Sequence, residues 1–465
     1  MIFTARTRGL EADDHRYLWH PFTQQREWEK QAPVVIERGQ GVYLMDVQGR
    51  RYLDGVSSIW VNLHGHKKPA LDRALKDQLG RIAHSTLLGL SNVPAIHLAK
   101  RLIAIAPRGL TRVFYSDNGS TAVEVALKMA FQYWQLKGGE FQYKTKFLHL
   151  GEAYHGDTLG AVSVGGISLF HERYRPLLFP TFEAHAPYCY RCPLGLTLPT
   201  CRLACADSVE DILKRHHEEI AGIIVEPMLL AAGGMITMPA GYLRRLRRMA
   251  TRYDVLLIAD EVATGFGRTG RMFACEHEGI RPDLMAISKG LTGGYLPLAA
   301  TLATERVYRQ FLGRYDEFKT FFHGHSYTGN PLGCAVALAN LDVFERERTL
   351  EKLAPKIEVL CAMLKPLLAH PHVGDVRQIG LIAAIELVRN RMTKEPYPLT
   401  DRMGTRVAMA ARSEGLLLRP LGNIIVLMPP LSTTIKELRM MGRFLTSAIK
   451  AATAGASERT RTKRR

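Results

Sequence analysis

The 465-residue chain lacks any run of eighteen consecutive apolar residues, so no stretch of it reads as a membrane-spanning helix. Met1 to Leu10 lack the succession of a secretory signal, in which a positive segment leads to an apolar one and then to small residues. The default expectation is a cytoplasmic protein. No internal repeat is visible, so a repeat architecture is not indicated. Acidic residues are in short supply: 44 Asp and Glu stand against 62 Lys and Arg, for a net charge of +18. Aromatic residues are not interleaved with that charge, and no nucleic-acid-binding module is recognisable. Nucleic acid is therefore not the expected partner; attraction of small anionic molecules is the milder inference. Part of the charge is local. Arg459, Arg461, Lys463, Arg464 and Arg465 give the C-terminal stretch, residues 453–465, the character of a disordered basic tail. Arg244, Arg245, Arg247, Arg248 and Arg252 read as the wet face of one helix.

What is present is ordinary for a globular protein, with 46% hydrophobic and 23% charged residues and room for two domains. Of seven cysteines, Cys275, Cys334 and Cys361 read as small apolar core residues. Cys189, Cys192, Cys201 and Cys205 form C-x2-C-x8-C-x3-C, the spacing of a metal knuckle. Two readings stay open for them: a bound zinc, or four reduced thiols in a long loop that also holds Pro187, Pro193 and Pro199.

Short apolar runs alternate with helical stretches through the middle of the chain. Strands are expected at 112–115, 146–150, 222–225, 255–259 and 284–287, with a helix over 121–134. The apolar runs do not alternate with polar residues, which suits strands buried on both faces of a largely parallel α/β sheet. Residues 41–54 carry a hairpin signal around Gln48-Gly49. We expect a large domain at 71–335, and a smaller α+β domain assembled from residues 1–70 and 336–452.

Five fragments carry chemistry. Asp260 ends an apolar strand and opens Asp-Glu-Val-Ala-Thr-Gly-Phe-Gly-Arg-Thr-Gly, at the place where α/β sheets hold their ligands. Lys289, in Ser288-Lys289-Gly290, also follows an apolar strand, where desolvation would depress its pKa and make it a nucleophile and proton carrier. Asp117-Asn118-Gly119-Ser120-Thr121 joins a strand to a helix and can act as an N-cap or a phosphate site. Tyr154, in Tyr154-His155-Gly156, offers an aromatic face after a strand. His323 to Pro331 form a loop dense in small polar residues.

Each fragment alone is weak, but their order and spacing resemble the class III (ω) aminotransferases of pyridoxal-phosphate (PLP) fold type I, over residues 17–450. Leu18-Trp19-His20-Pro21-Phe22-Thr23-Gln24 and Asp54 to Trp60 are further similar to the subfamily that aminates 8-amino-7-oxononanoate in biotin synthesis. Phe273 to His277, Arg419-Pro420 and Met428-Pro429-Pro430 fit it as well. The resemblance implies PLP as cofactor, Lys289 as its Schiff-base lysine, Asp260 as partner of the pyridine nitrogen and Tyr154 stacked on the ring. Gly119 and Ser120 would cradle the phosphate. Gly324, His325 and Ser326 would reach the cofactor of a neighbouring subunit, which implies a homodimer with shared sites. Phe22, Trp60 and Tyr154 would line the substrate pocket, and Arg419 would bind the substrate carboxylate. Phe22 stands where members using S-adenosylmethionine usually carry Tyr, and His325-Ser326 where they often carry Pro-Thr. This pattern is more like the branch that takes its amino group from lysine, and the donor stays open. Another ω-aminotransferase, of ornithine, 4-aminobutyrate, β-alanine or taurine type, is the alternative.

Overall fold

The computed structural model describes residues 2–454, so the basic residues from Arg459 onward lie outside the described residues. The chain opens with helix α1 (Ile2–Tyr17) and then an antiparallel meander of β1 (Ile36–Gln40), β2 (Tyr43–Asp46) and β3 (Arg51–Asp54). The expected hairpin is thus present. Asp46 holds its turn, accepting hydrogen bonds from the Gln48 and Arg50 amides at 3.0 and 2.9 Å.

The centre is a seven-stranded sheet. Its strands are β4 (Leu110–Ser116), β5 (Lys146–Leu150), β6 (Phe182–Ala184), β7 (Ile220–Val225), β8 (Leu256–Asp260), β9 (Leu284–Ile287) and β10 (Ala299–Thr304). They lie in the order β4-β10-β9-β8-β7-β5-β6. All run parallel except β10, which is antiparallel to both β4 and β9. Every residue of β7, β8 and β9 is buried, as their unbroken apolar runs imply. Helix α2 (Gly119–Lys137) packs on one face with Ala122, Val123, Ala126 and Ala130 against the sheet. Helix α3 (Tyr242–Arg252) buries Tyr242, Leu243, Leu246, Met249 and Ala250, and turns its arginines outward as expected.

After helix α4 (Pro331–Arg346) the chain forms the antiparallel pair β11 (Val373–Ile379) and β12 (Ile382–Asn390). Two more strands follow, β13 (Leu416–Leu417) and β14 (Ile424–Leu427). β14 pairs with β12, whereas β13 runs parallel to β3, so the two ends of the chain share one sheet. Arg268 fastens these ends to the centre. Fully buried, it donates to Ser57 Oγ (3.1 Å), Asn62 O (2.9 Å) and Pro429 O (2.9 Å). Desolvation without a carboxylate in contact lowers its pKa to about 9.

One core assignment is corrected. Cys275 and Cys334 are buried, but Cys361 is exposed. The helix Ala354–Leu364 buries Leu360 and Leu364, one turn apart, and position 361 falls off that stripe.

Candidate active site

The C-terminal ends of the parallel strands surround a cavity of ≈ 450 Å³ lined by Trp60, Gly119, Ser120, Tyr154, Asp260 and Lys289, among others. β8 delivers Asp260 and β9 delivers Lys289; the strands are neighbours, paired Asp260 to Ala286. Asp260 is almost wholly buried, yet both its oxygens are engaged. Oδ2 lies 2.7 Å from His155 Nδ1, and Oδ1 accepts from the Val262 amide at 3.0 Å. His155 Nε2 has no partner among the described residues, so the ring's one evident task in this structure is to hold Asp260.

The Lys289 backbone takes a left-handed φ of +41°. As a whole residue it is only partly covered, but its amine sits deep in the pocket, with Nζ 5.0 Å from the centre of the Trp60 ring. Desolvation lowers its pKa, opposed by the nearby carboxylates of Asp260 and Glu226. Trp60 is carried by an unusual turn. Ser57, Ser58, Ile59 and Trp60 have φ of 50°, 48°, 66° and 69°, four left-handed residues in succession. Each such residue costs about 1–2 kcal/mol. Asp54 holds the turn by accepting from the Ser58 amide and hydroxyl at 2.9 and 2.8 Å, and its other contact is His66 at 3.0 Å.

Asn118 caps α2. Its side chain accepts from the Thr121 amide at 3.1 Å, and Thr121 closes a capping box by bonding back. The amides of Gly119 and Ser120, next in the helix, have no acceptor among the described residues and open onto the cavity. Two glycines keep this end close to its neighbours. A Cβ on Gly119 would fall 2.6 Å from Val262 Cγ1, and one on Gly156 would fall 2.1 Å from Ser120 Oγ. The N-cap and a phosphate site are compatible in one helix end: the cap engages the amide of Thr121 and leaves those of Gly119 and Ser120 open to an anion. A primary amine, a braced carboxylate, an aromatic face and a helix N-terminus converge, and this donor set fits pyridoxal phosphate.

Tyr154 lines the cavity and donates its hydroxyl to Asp157 Oδ2 at 2.8 Å; burial and that carboxylate hold its pKa above the usual value. A line of edge-to-face contacts runs outward from it, Tyr154 to Phe170 and Phe170 to Phe22, with centroids 6.3 and 5.4 Å apart. Phe22 and Arg419 stand beyond the cavity wall. Both are exposed, and Arg419 Nη2 donates to Phe22 O at 3.3 Å. Gly324, His325 and Ser326 do not line the cavity of their own chain. His325 Nδ1 is 2.9 Å from Asp117 Oδ2, which sets the loop beside the start of α2.

Sequence reasoning missed Glu226. It follows β7 and lies wholly inside, accepting from the Tyr154 and Ala231 amides at 3.0 and 2.9 Å. Desolvation, with Asp260 nearby, raises its pKa to about 7. The signal was available, because Glu226 ends an apolar strand just as Asp260 does. The four cysteines of the long loop surround one small apolar cavity as free thiols. Among the described residues no group of three or more His, Cys, Asp or Glu side chains is arranged to hold a metal ion. Burial, with Cys189 nearby, pushes the Cys205 thiol up to about 11.

A family profile described as "Aminotransferase class-III" matches residues 24–449. The adenosylmethionine-8-amino-7-oxononanoate aminotransferase of Geobacter sulfurreducens is 57% identical over 450 residues, covering 97% of this chain and 99% of the relative. The crystal structure of the enzyme of that same name from Methanocaldococcus jannaschii superposes with a TM-score of 0.91 at 47% identity, covering 96% of this chain and 99% of that one. An omega transaminase from Pseudomonas jessenii, solved in complex with PMP, also gives a TM-score of 0.91, at 33% identity and with 96% and 99% covered.

Proposed function

We propose a function for this chain from one premise: it belongs to the class III aminotransferase family. The protein is a PLP-dependent aminotransferase, and its reaction is the amination of 8-amino-7-oxononanoate to 7,8-diaminononanoate in biotin synthesis. One observation carries the reading. A desolvated lysine and a buried, braced carboxylate end adjacent strands at the mouth of a phosphate cradle, in a chain 57% identical to an enzyme named for that substrate.

When bound, the cofactor supplies an electron sink that lets a proton leave the carbon bearing the amino group. The residues divide the remaining work. Lys289 is the covalent anchor and, released from it, the base that moves this proton; its lowered pKa leaves more of the amine unprotonated near neutrality. Asp260 keeps the pyridine nitrogen protonated, and His155 keeps Asp260 pointed at it. Gly119 and Ser120 bind the phosphate through free amides. Tyr154 covers the ring, and Trp60 walls the substrate's methylene chain opposite Lys289.

Arg419 is the docking point for the substrate carboxylate. Its exposed guanidinium, with no carboxylate partner among the described residues and next to Phe22, supports that role at the outer end of the aromatic line. Gly324 to Ser326 lie outside their own cavity, and this supports a homodimer in which each chain completes its partner's phosphate site. In this reading residues 71–335 bind the cofactor, and residues 1–70 with 336–452 form the smaller domain. None of the described helices is long and apolar enough to cross a membrane. The relative's name favours S-adenosylmethionine as amino donor over the lysine that Phe22 and His325-Ser326 suggest.

The deciding experiment is a single half-reaction. The purified, PLP-loaded protein is mixed with S-adenosylmethionine or with lysine, and absorbance reports conversion to the aminated cofactor. Subsequent addition of 8-amino-7-oxononanoate should return the PLP spectrum. Failure of that substrate, with recovery by a 4-aminobutyrate- or ornithine-derived carbonyl compound, would move the chain to another branch of the family.

A further inference from the structure

The sheet that carries the cofactor cavity at one edge carries a second depression at the other. It lies where β4, β8 and β9 begin and β10 ends, and forms a cleft of ≈ 640 Å³. Four arginines open onto it without a carboxylate partner among the described residues: Arg108 ahead of β4, Arg244 and Arg248 on α3, and Arg281 ahead of β9. Their neighbours behave differently. Arg247 pairs with Asp283 at 2.6 Å, Arg306 with Asp254 at 2.7 Å, and Arg245, on the same helix, with Glu210 at 3.3 Å.

The acids bordering the cleft are already engaged. Asp254 is held by Arg306, and Asp283 by Arg247 and the Leu257 amide. Glu278 caps the start of α3 by accepting from the Gly241 and Arg244 amides. Glu278 keeps its charge against those amides, while Asp254 and Asp283 offset Arg306 and Arg247, so the six arginines and three carboxylates lining the cleft leave it a net charge of +3. An isolated cation on a flat surface loses most of its field to water, whereas several on the walls of a concavity reinforce one another. Guanidinium groups are suited to paired hydrogen bonds with phosphate oxygens. The volume suits a small molecule rather than a duplex.

We propose that this cleft binds a polyphosphate anion, a linear di- or triphosphate group either free or carried by a nucleotide, at a site separate from the cofactor's. The separation follows from topology. Asp260 and Lys289 lie at the far ends of β8 and β9, whose first residues adjoin the cleft.

The test uses the full-length, PLP-loaded protein. Inorganic triphosphate and ATP are titrated calorimetrically while the cofactor absorbance is recorded. One equivalent should bind per chain with no change in the cofactor band, and affinity should fall as salt rises. Arg244→Ala and Arg248→Ala should each weaken binding by about tenfold, and together by about a hundredfold. Arg248→Lys, which keeps the charge but not the fork, should fall between. Arg314→Ala, an exposed arginine of another loop, should bind as the parent does. Equal affinity for both probes assigns the site to the phosphate chain alone, and tighter ATP assigns it to a nucleotide; either outcome supports the proposal. Unchanged affinity in the Arg244 and Arg248 variants, at unchanged melting temperature, overturns it. So does loss of the cofactor band on titration, which would put the probe at Gly119 and Ser120. Tighter binding of duplex DNA than of triphosphate through the same arginines would overturn it too.

Discussion

Replacing Gly119 by alanine offers a direct test of the phosphate cradle. The new Cβ would lie 2.6 Å from Val262 Cγ1 and 3.2 Å from Cγ2, so one wall must retreat by about 0.8 Å to reach ordinary contact. Val262 lies two residues after Asp260, its amide bonded to that carboxylate, and its backbone has little room to yield. The start of α2 should therefore move, and with it the free amides of Gly119 and Ser120. Overpacking of this kind costs roughly 1–3 kcal/mol. If most of that strain falls on the geometry needed for the cofactor, the PLP dissociation constant rises roughly 5- to 150-fold. Absorbance titration of the cofactor-free protein measures it. Val262→Ala removes both Cγ atoms, so Gly119→Ala/Val262→Ala should recover affinity relative to the sum of the single effects, with a coupling of about 1 kcal/mol or more. A Gly119→Ala protein that binds PLP as tightly as the parent would refute the assignment of this helix end to the phosphate. Additive single effects would refute Val262 as the cause.

Lys289→Ala should abolish turnover with the fold intact, and borohydride reduction of the parent should label the peptide containing Lys289 and no other; label elsewhere would displace the assignment. Asp260→Asn should keep PLP bound but slow the first half-reaction by orders of magnitude, because an amide cannot hold the ring nitrogen protonated; stopped-flow absorbance decides. Arg419→Ala should raise KM for the keto substrate with little change in kcat, if Arg419 holds the carboxylate equally in ground and transition states. An unaffected KM would mean that the carboxylate docks elsewhere. Glu226, raised from 4.5 to about 7, binds a proton in the native state that the unfolded chain has already released between those values. Stability of the cofactor-free protein should therefore fall as pH rises from about 4.5 to about 7, by an amount on the order of 3 kcal/mol. Glu226→Gln should remove that slope, as followed by denaturant unfolding across the range. Ser326→Ala should loosen PLP and weaken the dimer together if the sites are shared; sedimentation with and without PLP would show weaker PLP alone if the loop serves its own subunit.

The sequence by itself determined the sheet and much of its cargo. Strands buried on both faces must be apolar throughout, so β7, β8 and β9 were legible as runs, and a polar residue ending such a run stands out. Asp260 and Lys289 were visible for that reason, and Glu226 was there to be seen by the same rule. The helix end at Gly119 was legible through Asn118 and Thr121, since capping is a matter of neighbours in the chain. What depends on distance between remote segments was not legible. Nothing local says that His155 braces Asp260 across 105 residues, or that Arg268 ties Ser57 to Pro429. Helical phase put Cys361 outside although its neighbours are apolar. The arginines of α3 were foreseen as a wet face, but only the tertiary structure brought Arg108 and Arg281 beside them, because strand order sets which loops meet at an edge of the sheet. Periodicity and capping are written within a few residues of one another. Which distant side chains end up facing each other is decided when β8 takes its place between β7 and β9, a choice made by the packing of the whole chain.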